Sequence, residues 1–566
     1  MTSLSRIQAF LILAVLWAAI YLPGLGSTEF KGEEGRRVLP AVTMLQDGDW
    51  LVPHLGGKPY LRKPPLMNWV IAASFSATGR RDEWAARLPS ALLVLALGGT
   101  VIALSSGRGW MQPGTGLLAA IMVITPLGLL AKARFAGAEI EGVYIPLSGM
   151  AIAFWMAWHA QRRSVWLLWS VPGVFLGLAA LAKGPSFHLL AYYSVVLATL
   201  GATGSWRRLL HPAHFLGIAI AAGIFCAWAV PFSKNPEAVS AGQVWKKQGL
   251  DRFREGEFSA GNYLLNIPRG LADQLPWLLF VPALAGGFQF RRRGQPAAVS
   301  PAGSEHEPAT DGAVAAVLAA LWVLLLLIPG MLPRYVLPFG APFALLLARR
   351  ILEERPSEGL LRIWHGANRA GAGLILVLLL MGPLLAGWPV GENGLPAGVS
   401  SLSGFRFERG FPAALACLIP VGFVIAVLVR RGVGLEPVGL GIRTGVVLGA
   451  ASVWYSVAVV PWMVGGERSR PLARQIDEIL PAGETLVVCD PDYLPALFYL
   501  KTPHVCRGSW RESVRDGAWV LVRESEWGKR VGRGEAAGWE KVWGRGNVQG
   551  GGLCLIRRAG PAGGGL

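Results

Sequence analysis

The sequence predicts an α-helical protein that crosses a membrane many times. Three observations predict it. Hydrophobic residues make up 53% of the 566-residue chain and charged residues 16%, against about 25% charged in an average soluble chain. Apolar runs of bilayer length, roughly 20 residues, recur along the sequence. The Lys and Arg residues stand in small groups between those runs, not on one soluble module.

The runs place spans at 7–25, 89–106, 113–131, 139–159, 165–182, 186–203, 213–232, 274–290, 313–331, 334–348, 366–388, 412–429 and 444–464, about thirteen in all. The first is long for a signal peptide and closes on no small-x-small cleavage site, so it reads as an anchor. With the amino terminus inside, the tight basic groups of the short loops share one side: Arg162-Arg163, Arg207-Arg208, Arg291-Arg292-Arg293, Arg349-Arg350 and Arg430-Arg431. That is the positive-inside pattern. The net charge of +18 therefore reads as topology and attraction to anionic membrane lipid, with no nucleic-acid partner.

This topology divides the chain. Residues 1–465 form the membrane domain, with long outside segments at 27–88 and 233–273 and a disorder-like inside linker at 294–312. Residues 466–560 lie outside. Thr485–Val488, Trp519–Val522, Trp539–Trp543 and Leu553–Ile556 read as short strands, and Pro491–Tyr499 as a helix. A small α/β domain is expected there, with 561–566 as a disordered tail. Of the cysteines, Cys226 and Cys417 sit in apolar runs; Cys489 and Cys506 are candidates for a disulfide in an oxidising compartment.

The first outside segment holds the most chemistry. It opens on Glu33-Glu34-Gly35-Arg36-Arg37, continues through Gly48-Asp49-Trp50, and reaches LVPHLGGKPYLRKPPLMNW over 51–69. Lys63-Pro64-Pro65 imposes an extended backbone beside Lys58 and Arg62. The apolar stretch Leu66–Ser76 is too short to span and suits a helix lying in the interface. A stiff basic loop at headgroup depth can hold a lipid phosphate, where the plain alternative is general attraction to the membrane surface.

Ionisable residues at span junctions form a second set: Lys132, Arg134, Glu139 and Glu141 in ARFAGAEIEGVY, Lys183 in LAKGPSF, and Arg334-Tyr335 in MLPRYVLPF. Charge beside hydrocarbon is costly and points to function, against snorkelling side chains as the bland explanation for any one of them. All three junctions fall on the side of Glu33.

The succession EExR, GDW, KPYLxKPPL, ARLPSAL, LAKGP and LPRYVLP resembles the polyprenyl-phosphate-dependent glycosyltransferases of the GT-C fold, the superfamily of the protein mannosyltransferases and lipid A aminoarabinose transferases. The resemblance runs through residues 5–350. It implies Glu33, Glu34 and Arg36 as the catalytic acidic pair and its basic companion, with Glu in place of the usual Asp. It implies Lys63, Lys183, Arg334, Tyr335 and Arg252 around the donor phosphate, with Arg62 as a further positive charge, and Glu139 as a supporting acid. Some relatives carry a metal through a Glu before Lys-Pro-Pro and a His in the second outside segment. Those positions are Arg62 and Gly249 here, which implies metal-independent transfer with no cofactor.

The chemistry expected is inverting transfer of a sugar from an undecaprenyl-type phosphate to a hydroxyl or phosphate of a lipid, glycan or protein. Glu33 serves as base, and Glu34 either supports it from behind or orients the acceptor. Fixed cations stabilise the leaving phosphate, and the site faces outward from a bacterial inner membrane. A transporter or flippase is a rival, but it calls for paired half-repeats and broken midplane spans. A glycan polymerase or ligase is another, disfavoured by the early acidic loop.

Overall fold

The computed structural model describes residues 4–105, 110–185, 187–246, 260–280, 308–328, 331–353, 358–386, 420–428, 436–465, 467–491, 493–545 and 552–559. The protein is a multi-pass helical membrane protein. In chain order, α1 (Arg6–Tyr21) leads into α2 (Gly35–Asp47), a two-residue-stranded hairpin of β1 (His54–Leu55) and β2 (Lys58–Pro59), and α3 (Leu66–Thr78). Then come α4 (Glu83–Leu104), α5 (Pro113–Ile124), α6 (Leu127–Leu130), α7 (Glu141–Ala160), α8 (Val165–Lys183), α9 (Phe187–Ala202), α10 (Pro212–Lys234) and α11 (Ala241–Lys246). The membrane part continues through α12 (Ala260–Ala272), α13 (Pro308–Leu326), α14 (Gly340–Glu353), α15 (Glu358–Ala386), α16 (Pro437–Trp454) and α17 (Val460–Gly465).

Among the described residues, 6 helices are long and apolar enough to cross a bilayer, or 7 if one bent pair counts as a span. That count does not confirm the expected thirteen, several of which fall partly outside the described residues. The run at 113–131 is not one straight helix: α5 and the segment Leu127–Phe135 meet at 57°. Pro126, which cannot donate a backbone hydrogen bond, stands at the break. The segment 334–348 starts as two 3₁₀ turns, because Pro333 and Pro338 interrupt the ladder, before α14 begins. Most of 274–290, half of 412–429 and all of 294–307 lie outside the described residues.

Close backbone approach sets the helix packing. A Cβ on Gly173 of α8 would stand 2.5 Å from the carbonyl oxygen of Gly217 on α10, and one on Gly217 would stand 2.5 Å from that of Trp169. Small residues at such crossings are how membrane helices gain contact without a hydrophobic driving force between them. Arg134, in the π-helical turn after α6, donates to the carbonyls of Ile20 at 2.6 Å and Pro23 at 2.8 Å. It thereby satisfies the open end of α1, a structural task for a residue grouped with the candidate functional charges.

The chain ends in a five-stranded sheet. Its strands are β3 (Leu486–Cys489), β4 (His504–Arg507), β5 (Trp519–Arg523), β6 (Trp539–Arg545) and β7 (Leu553–Arg558), in the order β4-β3-β5-β7-β6. Strands β4, β3 and β5 run parallel, and β7 and β6 antiparallel to their neighbours. Helices α18 (Ser469–Ile479), α19 (Trp510–Asp516) and α20 (Glu524–Gly532) accompany it. The stretch 491–499, expected as a helix, contributes only a 3₁₀ turn at Pro495–Phe498, and β4 was not foreseen. Cys489 and Cys506 are both free thiols. Cys489 packs in one core of the sheet and Cys506 against the other, so neighbouring strands point their sulfurs to opposite faces.

The sheet is docked on the first loop. Leu39, Leu55 and Tyr60 share one buried cluster with Leu472, Leu486, Leu494 and Leu555. The Glu29 carboxylate accepts the N–H groups of Arg468, Ser469 and Arg470 at 3.0, 2.8 and 3.2 Å, so an anion from the first loop sits at the start of α18, where negative charge is favourable.

Candidate functional site

The acidic pair sits on the turn that enters α2. Gly32 takes a left-handed backbone there (φ +53°), a conformation that side chains rarely adopt. Two consecutive glutamates consequently face different surroundings. Glu34 is 0% exposed. Its Oε1 and Oε2 each accept from Arg87 at 2.8 Å, and they also accept the N–H groups of Ala138 at 3.0 Å and Lys31 at 2.9 Å. Glu33 keeps 40% of its side chain exposed and meets Arg36 at 2.5 Å and Arg37 at 3.6 Å.

Glu34 is thus fully engaged by the fold, a geometry that suits the supporting alternative of its two expected roles and leaves no oxygen facing an acceptor. Arg87 completes the arrangement by donating to the carbonyls of Leu25, Thr28 and Glu29 at 2.9, 3.1 and 3.2 Å. One buried guanidinium therefore fixes the whole approach to the acidic turn. Glu33 retains both a free approach and a carboxylate.

Arg36 lies 4.8 Å from the centre of the Tyr493 ring, and the Tyr493 hydroxyl donates to the Gly32 carbonyl at 2.7 Å. The terminal sheet domain thereby contributes a wall to the acidic turn. Burial raises the Tyr493 phenol well above its ordinary range, so it stays a neutral donor.

A cationic group lies near this turn, since the charge of Arg37, beside Glu33, acts on Lys63. Glu141, at the start of α7, lies 3.1 Å from Lys183 Nζ and 3.7 Å from Arg334 Nε. Lys183 also stands 4.7 Å over the Tyr144 ring and 4.9 Å over the Tyr335 ring, and Tyr335 stacks on Phe187. Lys63 is half-buried. Burial, then the charges of Lys183 and Arg37, push its ammonium down to about 8, with Glu141 opposing. A surplus of cations around a partly desolvated lysine is a site that an anion would relieve.

The remaining charges fall around it. Glu139 pairs with Lys132 at 2.7 Å. A Cβ on Gly32 would stand 3.3 Å from Glu139 Oε1, which puts Glu139 against the acidic turn. An apolar cleft of about 410 Å³ opens between α8, α9 and α10, with Leu176, Leu189, Ile218 and Phe225 among its walls. Ala180 and Pro185, which flank Lys183 in sequence, also line it.

Comparison with known proteins bears on the fold that carries this site. A family model of dolichyl-phosphate-mannose-protein mannosyltransferases matches residues 38–234. The undecaprenyl phosphate-alpha-4-amino-4-deoxy-L-arabinose arabinosyl transferase of Pseudomonas savastanoi pv. phaseolicola is 27% identical over 347 residues, 60% of this chain and 61% of the relative. The enzyme of the same name from Pseudomonas aeruginosa strain LESB58 is 27% identical over 399 residues, 67% of this chain and 66% of the relative. The chain thus spans about three-fifths to two-thirds of the length of these curated relatives. The solved structure of ArnT from Cupriavidus metallidurans bound to undecaprenyl phosphate superposes with a TM-score of 0.65 at 20% identity, covering 97% of this chain and 98% of that one. The chain shares the fold of that structure, the GT-C fold expected from its sequence.

Within this GT-C protein the residues singled out from sequence divide into three groups. Glu33 and Arg36 lie together on the acidic turn, and Lys63, Lys183, Arg334 and Tyr335 on the cationic face. Arg62 is exposed, away from the desolvated position that its neighbour Lys63 takes. Arg252 lies outside the described residues, as does Gly249. Reasoning on sequence passed over Arg87 and Tyr493 as site residues; it names Arg37 only as part of the opening motif and Glu141 among the junction charges, without a role for either. Arg87 carried a signal, an arginine on an apolar helix. Tyr493 carried none, since only docking of the terminal domain brings it to the turn.

Proposed function

We propose that the protein transfers a sugar from a polyprenyl phosphate, of undecaprenyl type, to a hydroxyl or phosphate group of a lipid, glycan or protein acceptor. The observation that carries the proposal is the pairing of a half-exposed carboxylate, Glu33, with a desolvated cationic face built from Lys63, Lys183 and Arg334. Glu33 removes the acceptor proton as the new bond to the anomeric carbon forms. The bond from that carbon to the carrier phosphate breaks, and the released phosphate keeps the electron pair. Lys63, Lys183 and Arg334 stabilise the charge that develops there.

Arg36 positions Glu33, and Glu139 offsets the excess positive charge. The apolar cleft beside Lys183 is suited to the carrier's isoprenoid tail. The site lies on the outer face of a bacterial inner membrane, with the amino terminus inside, as the basic short loops favour. The undecaprenyl phosphate aminoarabinose transferases among the relatives support an undecaprenyl donor, and the resemblance to lipid A aminoarabinose transferases makes lipid A the first acceptor to try.

The test is sugar release or transfer by the purified protein from a panel of polyprenyl-phosphate sugars, read by mass spectrometry. Wild type should act on at least one donor with lipid A present. Glu33→Gln should lose on the order of 10²–10⁴-fold in rate, the usual contribution of a general base. A Glu33→Gln variant of undiminished rate would remove Glu33 from the mechanism.

A further inference from the structure

A second polar cluster differs from the cationic face in its chemistry. Asp49, His54 and Glu237 come from three separate segments, and their ligand atoms all lie within 4.8 Å of one another. Asp49 follows the left-handed Gly48 that ends α2. Its Oδ1 accepts the N–H groups of Leu51 and Val52 at 2.8 and 3.1 Å, which fixes the carboxylate and leaves Oδ2 outside those bonds. His54 opens the hairpin, and its Nε2 lies 2.9 Å from Glu237 Oε2. Glu237 sits on the 3₁₀ turn after α10, where its N–H donates to Asn235 Oδ1 at 2.9 Å.

The backbone on both sides of the cluster is anchored independently of it. Val52 and Leu61 are buried with Trp228, Phe232 and Ala238. Three indole N–H groups hold the first loop by its carbonyls: Trp69 to Trp50 at 2.9 Å, Trp228 to Leu51 at 3.0 Å, and Trp245 to Leu61 at 2.7 Å. The three donors are therefore brought together by packing, and small side-chain rotations remain.

We propose that Asp49, His54 and Glu237 form a binding site for a zinc-type divalent cation that clips the first loop to the end of α10. Three protein ligands with a water as the fourth make a tetrahedral site, in which ligands at roughly 2.0 Å from the ion lie roughly 3.3 Å apart. An imidazole with two carboxylates selects zinc over magnesium or calcium, which prefer all-oxygen shells. The positions at which some relatives hold a metal, Arg62 and Gly249, supply none of these donors. The ion would steady the hairpin that leads to Tyr60 and Lys63. The site stands on its own donors and does not depend on the sugar-transfer reading.

The full-length protein in detergent, stripped with a chelator and dialysed, is titrated with zinc by calorimetry, and its metal content is measured by plasma mass spectrometry. Wild type should bind one zinc at the cluster, with magnesium failing to compete. His54→Ala and Glu237→Gln should each weaken that binding by tenfold or more, on the order of what even outer-shell substitutions cost a metal site. Glu237→Gln keeps a hydrogen-bond acceptor for His54, so its thermal unfolding without metal should match wild type and separate ligation from folding. Absence of zinc binding by wild type at micromolar concentration would overturn the proposal. So would binding that both variants leave unchanged.

Discussion

Arg87 grips Glu34 through two parallel hydrogen bonds of 2.8 Å, joining the acidic turn to α4. Both partners are buried. A buried pair of this kind is weak evidence of net stabilisation, yet removing one member strands the other charge. The neighbouring Glu33 makes its ion pairs at the surface of the site, where such pairs contribute little.

The two glutamates should therefore separate experimentally. Arg87→Ala should destabilise the protein by about 3–5 kcal/mol, the cost of leaving a buried charge unpaired. Glu33→Gln should shift stability by about 1 kcal/mol or less, the usual worth of an exposed pair. Thermal unfolding in detergent reads both. Equal losses would show that Glu33 is as structural as Glu34.

Lys63 gives a prediction on pH. Its ammonium is held down to about 8 in the folded protein, below its ordinary value, so the unfolded chain binds the extra proton more readily. Wild-type stability should then rise with pH from about 8 toward the ordinary lysine range, and the penalty of burying the charge is fully present below that window. Lys63→Met should be more stable than wild type at pH 7, with the difference shrinking as pH rises to 10. Affinity for a polyprenyl phosphate should fall as pH rises through about 8 in wild type and lose that dependence in Lys63→Met.

Tyr493 ties the terminal domain to the acidic turn. Tyr493→Phe removes the hydrogen bond to the Gly32 carbonyl and should cost about 1 kcal/mol, the typical net worth of one such bond. Tyr493→Ala also removes the ring beneath Arg36. It should lower kcat further while leaving donor binding near wild type. Recovery of rate in Tyr493→Phe relative to Tyr493→Ala would identify the ring as the positioning element, and equal rates would discount it.

The crossing of α8 and α10 depends on Gly217, whose added Cβ would stand 2.5 Å from the Trp169 carbonyl oxygen. Gly217→Ala should cost about 1–3 kcal/mol, the range for overpacking a close contact. Gly223 on the same helix has open space at its Cβ position, so Gly223→Ala is the matched control. A loss in both alike would point to helix propensity or membrane insertion in place of packing.

The amino-acid sequence by itself determined the membrane class, because bilayer thickness translates directly into apolar run length. It also marked the acidic turn, the Lys-Pro-Pro loop and the charged junctions, since charge beside hydrocarbon stands out in composition alone. Which charge does what depended on tertiary structure. Glu33 and Glu34 are the same residue type side by side, and only the burial of Glu34 against Arg87 distinguishes them. Lys63 and Arg62 likewise part company through desolvation, a property of packing. Tyr493 reaches the turn from more than 450 residues away in sequence, as its bond to Gly32 shows. No local pattern encodes that distance, because the contact exists only once the terminal sheet has buried Leu39 and Tyr60 beneath it.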